Sequence, residues 1–146
     1  MDVKLMIIGL NLNSIEAKKH AMPKGNIRID NNVAILGVKE TKVPIMTDQI
    51  SQISFKFTTN YVQEEKTIGN VTITGNVLYK GDTEAIMEQY KTNKKLPDKV
   101  GHMVVNTILA KCIIQTISLS EQVTLPPPIG LPTISNKKKQ NLEYIG

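Results

Sequence analysis

The sequence predicts an α+β domain: an antiparallel β-sheet of four or five strands followed by two helices packed on one face. Three observations carry this reading. Residues 50–80 alternate apolar and polar side chains almost without a break. Residues 97–117 then place apolar side chains at helical spacing. All the strand-like sequence precedes all the helix-like sequence, as in folds that segregate strands from helices.

The elements follow in chain order. Residues 3–18 alternate loosely, with Met6, Ile8, Leu10 and Leu12 on one side and Gly9 as a candidate bulge. Residues 19–25 form a polar break. Residues 26–30 and 33–42 read as two strands around Asp30-Asn31-Asn32, a run that tolerates left-handed backbone. Pro44 ends or bends the second of them. Residues 50–63 are the cleanest strand, with Ile53, Phe55 and Phe57 alternating with Ser54, Lys56 and Thr58. Residues 66–70 read as a turn. Residues 71–80 then set Val71, Ile73, Gly75, Val77 and Tyr79 against Thr72, Thr74 and Asn76. Two alternating runs with a short polar link imply an antiparallel pair with one apolar face and one wet, threonine-rich face.

Gly81-Asp82 punctuates the chain. Asp82 suits the N-cap of a helix over residues 83–93, with Ile86, Met87 and Tyr90 facing inward. Pro97 sits where a second helix begins and predicts one running to about residue 117. That helix carries Val100, Met103, Val104, Val105, Ile108, Leu109, Cys112, Ile113, Ile114 and Ile117, so its polar face is thin. It needs cover on most sides, from its own domain or from a second copy of the chain. Residues 118–124 read as a loop or short strand. Leu125-Pro126-Pro127-Pro128-Ile129 then imposes an extended path across a surface.

The chain has 146 residues, which suits one domain over residues 1–135 with a basic, flexible tail at 136–146. Two phenylalanines, four tyrosines and no tryptophan leave the core to aliphatic side chains. Net charge is +5, from seventeen lysines and one arginine against thirteen acids. Lys137, Lys138 and Lys139 stand in the tail, and without residues 136–146 the balance falls to +3. Lysine supplies point charges and no bidentate fork, which argues against sequence-specific nucleic-acid readout. No span approaches the ~20 apolar residues of a membrane crossing, so insertion into a membrane is not expected. Gly9, Asn11, Asn13 and Asp2 argue against a signal peptide at the N-terminus. The single cysteine, Cys112, excludes an internal disulfide and fits a reducing, cytoplasmic compartment.

Catalysis is not expected. His20 and His102 lie far apart in sequence, and no second ligand stands at zinc spacing. His102 is one turn from Asp98, which reads as a surface contact. His102 and Cys112 are ten residues apart on one helix, roughly 15 Å in rise, too far for a nucleophile–base pair. Glu64-Glu65 reads as solvated beside a turn. Residues 69–75 hold two glycines but no following Lys-Ser or Lys-Thr, so they form no phosphate loop. No cofactor is implied.

The layout of residues 52–62, 69–81 and 96–131 resembles the SecB-type export chaperones, above all in LPDKVGHMVVNTILAKCIIQ and VTLPPPIGLP. The resemblance covers roughly residues 5–134. It implies an antiparallel sheet carrying a helix at a subunit interface, followed by a segment rich in Pro and Leu. It also implies chaperone-like binding of unfolded or extended polypeptide, in protein export, without nucleotide, by a homo-oligomeric dimer or tetramer. The residues expected to line the polypeptide groove are Ile53, Phe55, Phe57, Tyr61, Leu125, Pro127, Ile129 and Leu131. The competing expectation is a non-catalytic RNA-binding or partner-specific adaptor protein. Thr58, Thr72, Thr74, Lys56 and the lysine tail would then carry the RNA.

Overall fold

The computed structural model describes residues 7–42, 44 and 49–129. It holds β1 (Ile7–Lys19), β2 (Arg28–Thr41), β3 (Ile50–Gln63), β4 (Lys66–Lys80), α1 (Thr83–Asn93) and α2 (Asp98–Gln122). The strands form one antiparallel sheet in the order β1-β4-β3-β2, with both helices packed on one face. The predicted fold class is therefore the observed one, with four strands among the described residues.

β3 and β4 make the central hairpin. Their apolar faces meet in register, Ile53 opposite Val77 and Phe57 opposite Ile73, and all four are fully buried. The predicted turn over residues 66–70 is corrected. β4 already begins at Lys66, and Gln63 pairs with Lys66 around a two-residue loop. Glu64 and Glu65 hold φ of 49° and 64°, both left-handed, as a type I′ turn demands. Charge alone gave no sign of that backbone.

β1 adds to the outer side of β4. A Cβ at Gly75 would overlap the Asn11 carbonyl and press on the Phe55 ring. Glycine there lets β1 approach and lets the ring cover the gap. Two register shifts, between Ile7 and Gly9 and between Leu12 and Ser14, change which residues face the helices. Leu10 and Leu12 pack on the core, and past the second shift Ala17 does. The chain then crosses the hairpin end: His20 N–H donates to the Ile68 carbonyl at 2.7 Å, and Lys24 N–H donates to the Gln63 side chain.

β2 is a single strand, which corrects the two predicted around residues 30–32. Asp30, Asn31 and Asn32 pair in unbroken register with Asn60, Thr59 and Thr58. Turn propensity loses to the ladder because the Asn31 side chain has partners. It accepts from the Thr59 hydroxyl at 2.6 Å and donates to the Pro128 carbonyl at 3.3 Å.

α2 lies against the sheet along a ridge of residues four apart: Val100, Val104, Ile108, Cys112, Thr116 and Ser120, all buried. The helix runs to Gln122, through the segment predicted as loop or strand, because Thr116 and Ser120 continue that ridge. No basic residue stands in its last turn; Lys19 of β1 supplies the cation there and donates to the Thr124 hydroxyl.

α1 is held far more lightly. Ile86 is its one buried apolar side chain, a contribution of about 1.5–3 kcal/mol. Against that, the Thr83 hydroxyl is buried without a partner among the described residues, at a cost of about 1–3 kcal/mol. Asp82 precedes the helix as expected, but with φ of 51° and no side-chain capping bond.

Candidate functional site

Most of the predicted groove residues lie elsewhere than at a surface. Ile53, Phe55, Phe57 and Tyr61 are each 0% exposed beneath the helices. This corrects the expectation that they face a bound chain: they are the floor on which α2 sits. Leu125 is 5% exposed, Pro127 is half-buried and Ile129 is 43% exposed. Leu131 lies outside the described residues, as does the tail at 136–146.

The proline segment is pinned to the body. Leu125 N–H donates to the Ser120 carbonyl at 2.8 Å, and the Leu125 side chain fills the space that a side chain at Gly69 would need. Pro128 is held by Asn31. Burial raises the Tyr61 phenol above its ordinary pKa, and its hydroxyl, near the Ser120 side chain, has no hydrogen-bond partner among the described residues. The segment thus closes the core, and Ile129 is the residue it offers to solvent.

What the sheet and helices leave open is a trough along β2. The outer edge of β2 pairs with no other described strand. Between β2 and α1 lies a cavity of about 710 Å³, with Val38, Met87 and Tyr90 as its apolar wall and Glu40, Glu84 and Glu88 at its rim. Between β2 and α2 lies a second, of about 390 Å³, lined by Ile35, Leu96, Gly101, His102 and Val105. Lys94 borders both, and the Tyr90 hydroxyl reaches the Ile35 carbonyl at 3.5 Å, so the two adjoin along one strand. An extended chain laid there meets apolar side chains beside a strand edge that no other described strand pairs with.

A third cavity, of about 560 Å³, opens on the other flank of α2. Ile7, Met103, Ala110 and Ile114 line it, and almost none of its lining is polar. Ile114 is 65% exposed. By length and composition α2, with a mean hydropathy of 1.5 over its most apolar window, is apolar enough to cross a membrane, contrary to the expectation from the sequence. In the fold its ridge lies on the sheet and its flanks line these two grooves.

The opposite face of the sheet carries Lys56, Thr58, Thr72, Thr74 and Asn76, with Ser14 bonded to Thr74. Phe55 and Phe57 point the other way into the core, so they offer nothing for base stacking to a ligand on that face. Among the described residues no three His, Cys, Asp or Glu side chains group as metal ligands. Burial pushes the Cys112 thiol up to about 11, the reverse of what a nucleophile needs.

Sequence reasoning missed the trough because Ile35, Val38 and Val105 sit in runs that read simply as core. A helix flank and a strand edge become a groove only once a second helix is set beside them.

No protein-family model matches the chain, and no curated protein does. Among solved structures it is similar to the Mycobacterium tuberculosis Rv1957 SecB-like chaperone in complex with a ChAD peptide from the Rv1956 HigA1 antitoxin. The TM-score is 0.55 at 14% sequence identity, over 88% of this chain and 89% of that one. The fold is SecB-like.

Proposed function

We propose that this protein holds unfolded or extended polypeptide as a chaperone-like binder, without nucleotide and without catalysis, in the cytoplasm and in the service of protein export. The observation that carries this is the trough along β2: an apolar cavity between β2 and α2 adjoins a second, whose wall of Val38, Met87 and Tyr90 is rimmed by charged side chains, beside a strand edge that pairs with no other described strand. The likeness to a SecB-like chaperone that was solved with a bound peptide supports the same reading. A client gains about 25 cal/mol for each Å² of apolar surface it buries, plus backbone pairing to β2. The groove residues proposed to touch it are Ile35, Val38, Val105 and Ile129, in place of the buried phenylalanines. Pro127 and Leu125 hold the segment that presents Ile129, and Leu131 is proposed to extend it.

The test is an aggregation assay with a chemically denatured client at stoichiometric ratios. The parent suppresses aggregation, and Val105→Ser and Ile129→Ser weaken suppression while the fold persists. Phe57→Ser unfolds the protein, because it puts a hydroxyl and a cavity into the core. A parent that leaves aggregation unchanged refutes the reading.

We also propose a homo-oligomer, dimer or tetramer, joined through the groove that Ile7, Met103 and Ile114 line. An exposed apolar strip of this kind is commonly covered by a second copy. Light scattering then gives a multiple of 16.2 kDa, and Ile114→Asp returns the monomer mass.

A further inference from the structure

α1 is joined to the fold through left-handed backbone at both ends. Gly81 and Asp82 hold φ of 96° and 51°, and Lys94 holds 58°. Its N-terminus has no side-chain cap. Its anchors are one buried isoleucine, Ile86, the half-buried Tyr90 ring with a hydrogen bond from its hydroxyl at the 3.5 Å limit, and, just ahead of the helix, the Gly81 N–H donating to the Gln49 carbonyl at 3.1 Å. The buried Thr83 hydroxyl has no partner among the described residues and regains water whenever the helix lifts. Beside α1 a groove of about 710 Å³ opens to solvent between the helix and β2. α2, by contrast, is seated by six buried residues in one ridge. The missing side-chain cap, the single buried apolar anchor and the orphaned hydroxyl lower the cost of undocking α1 alone, in the manner of local opening of lightly packed elements.

We propose that α1 is a lid over the β2 trough that swings about Gly81-Asp82 and Lys94 to admit polypeptide. The inference rests on the polypeptide-holding reading. Lifting α1 withdraws Ile86 and frees Val38 and the β2 edge beside it. Closure over the client then returns Met87 and Tyr90 as its upper wall.

The experiment is hydrogen exchange on the full chain, paired with the rate at which a denatured client is captured. α1 amides exchange far faster than those of β3 and β4. Thr83→Val replaces the orphaned hydroxyl with a methyl of the same shape. It slows exchange in α1 about ten-fold, leaves β3 unchanged and slows capture by a similar factor. Ile86→Ala acts in the opposite sense; Thr83→Val carries the test if that variant fails to fold. The lid is overturned if α1 and β3 exchange together through global unfolding, or if Thr83→Val slows α1 and leaves capture unchanged. Capture without local opening removes the lid and keeps the polypeptide-holding reading. Local opening with no capture by the parent removes that reading, and the gating role with it.

Discussion

Replacing Glu64-Glu65 with Asn-Gly should stabilise the protein. Both glutamates sit in left-handed backbone, with φ of 49° and 64°, between strands that pair through Gln63 and Lys66. A residue with a Cβ pays about 1–2 kcal/mol in that conformation. Asparagine pays less and glycine nothing, although glycine returns about 0.5–1 kcal/mol through the freer unfolded chain. Over the two sites the net gain is about 1–2 kcal/mol. In a chain of this size each kcal/mol moves Tm by about 3 °C, so the double variant should melt about 3–6 °C higher. The substitution also removes two negative charges from a chain of net charge +5, which by itself is unfavourable. The control is therefore Glu64→Gln with Glu65→Gln, which removes the charge and keeps both β-carbons. Calorimetry of the three proteins separates backbone from charge. An Asn-Gly variant no more stable than the Gln-Gln control would refute the turn assignment.

Other outcomes follow from the core. Gly75→Ala should cost about 1–3 kcal/mol or more, read as a lower urea midpoint, because the new methyl meets the Asn11 backbone and the Phe55 ring. The Cys112 thiol ionises near 9.0 when unfolded and at about 11 when folded. A raised acid stabilises the fold fully below the unfolded value and loses that contribution as pH rises through the folded one. Stability should therefore fall between pH 9 and 11, by at most about 2–3 kcal/mol, with a flatter profile in Cys112→Ala. Native Cys112 should also resist a thiol reagent until denaturant is added, since it is fully buried.

Where one face of an element is fully buried, the sequence declared it. The alternation of β3 and β4, with Phe55 and Phe57 inward and Thr72 and Thr74 outward, matches the observed burial over residues 52–61 and 69–80. Edge strands were harder. β1 changes phase at Ser14 and β2 keeps its ladder through Asp30-Asn31-Asn32, because bulges and tertiary partners of Asn31 outweigh local turn preference. The end of α2 was misread for a related reason. Ser118 and Ser120 look like loop residues, yet Ser120 is buried at the end of the ridge, next to Tyr61. The groove was the least legible part. Sequence distinguishes apolar from polar, and both the floor of a core and the wall of a trough are apolar.

The thin polar face of α2 was visible from the start, and the fold separates it into three demands. Ile108 on the ridge is fully buried against the sheet. Val105 on one flank lines the cavity beside Ile35, and Ile114 on the other stands open beside Ile7 and Met103. These positions lie on different sides of one helix, so their effects should separate. Ile108→Ala should cost about 2–5 kcal/mol, since the sheet cannot collapse into the cavity it leaves. Val105→Ser should weaken client holding with a denaturation midpoint within about 0.5–1 kcal/mol of the parent, because the side chain is only half-buried. Ile114→Asp should change the mass in solution while leaving the monomer's fold intact, because a carboxylate at a site 65% exposed stays hydrated. Measuring midpoint, aggregation suppression and mass on all three variants tests the assignment. If Ile114→Asp unfolds the protein, that flank is needed for folding; if it abolishes client holding with the mass unchanged, the polypeptide lies on the β1 side of α2 instead of along β2.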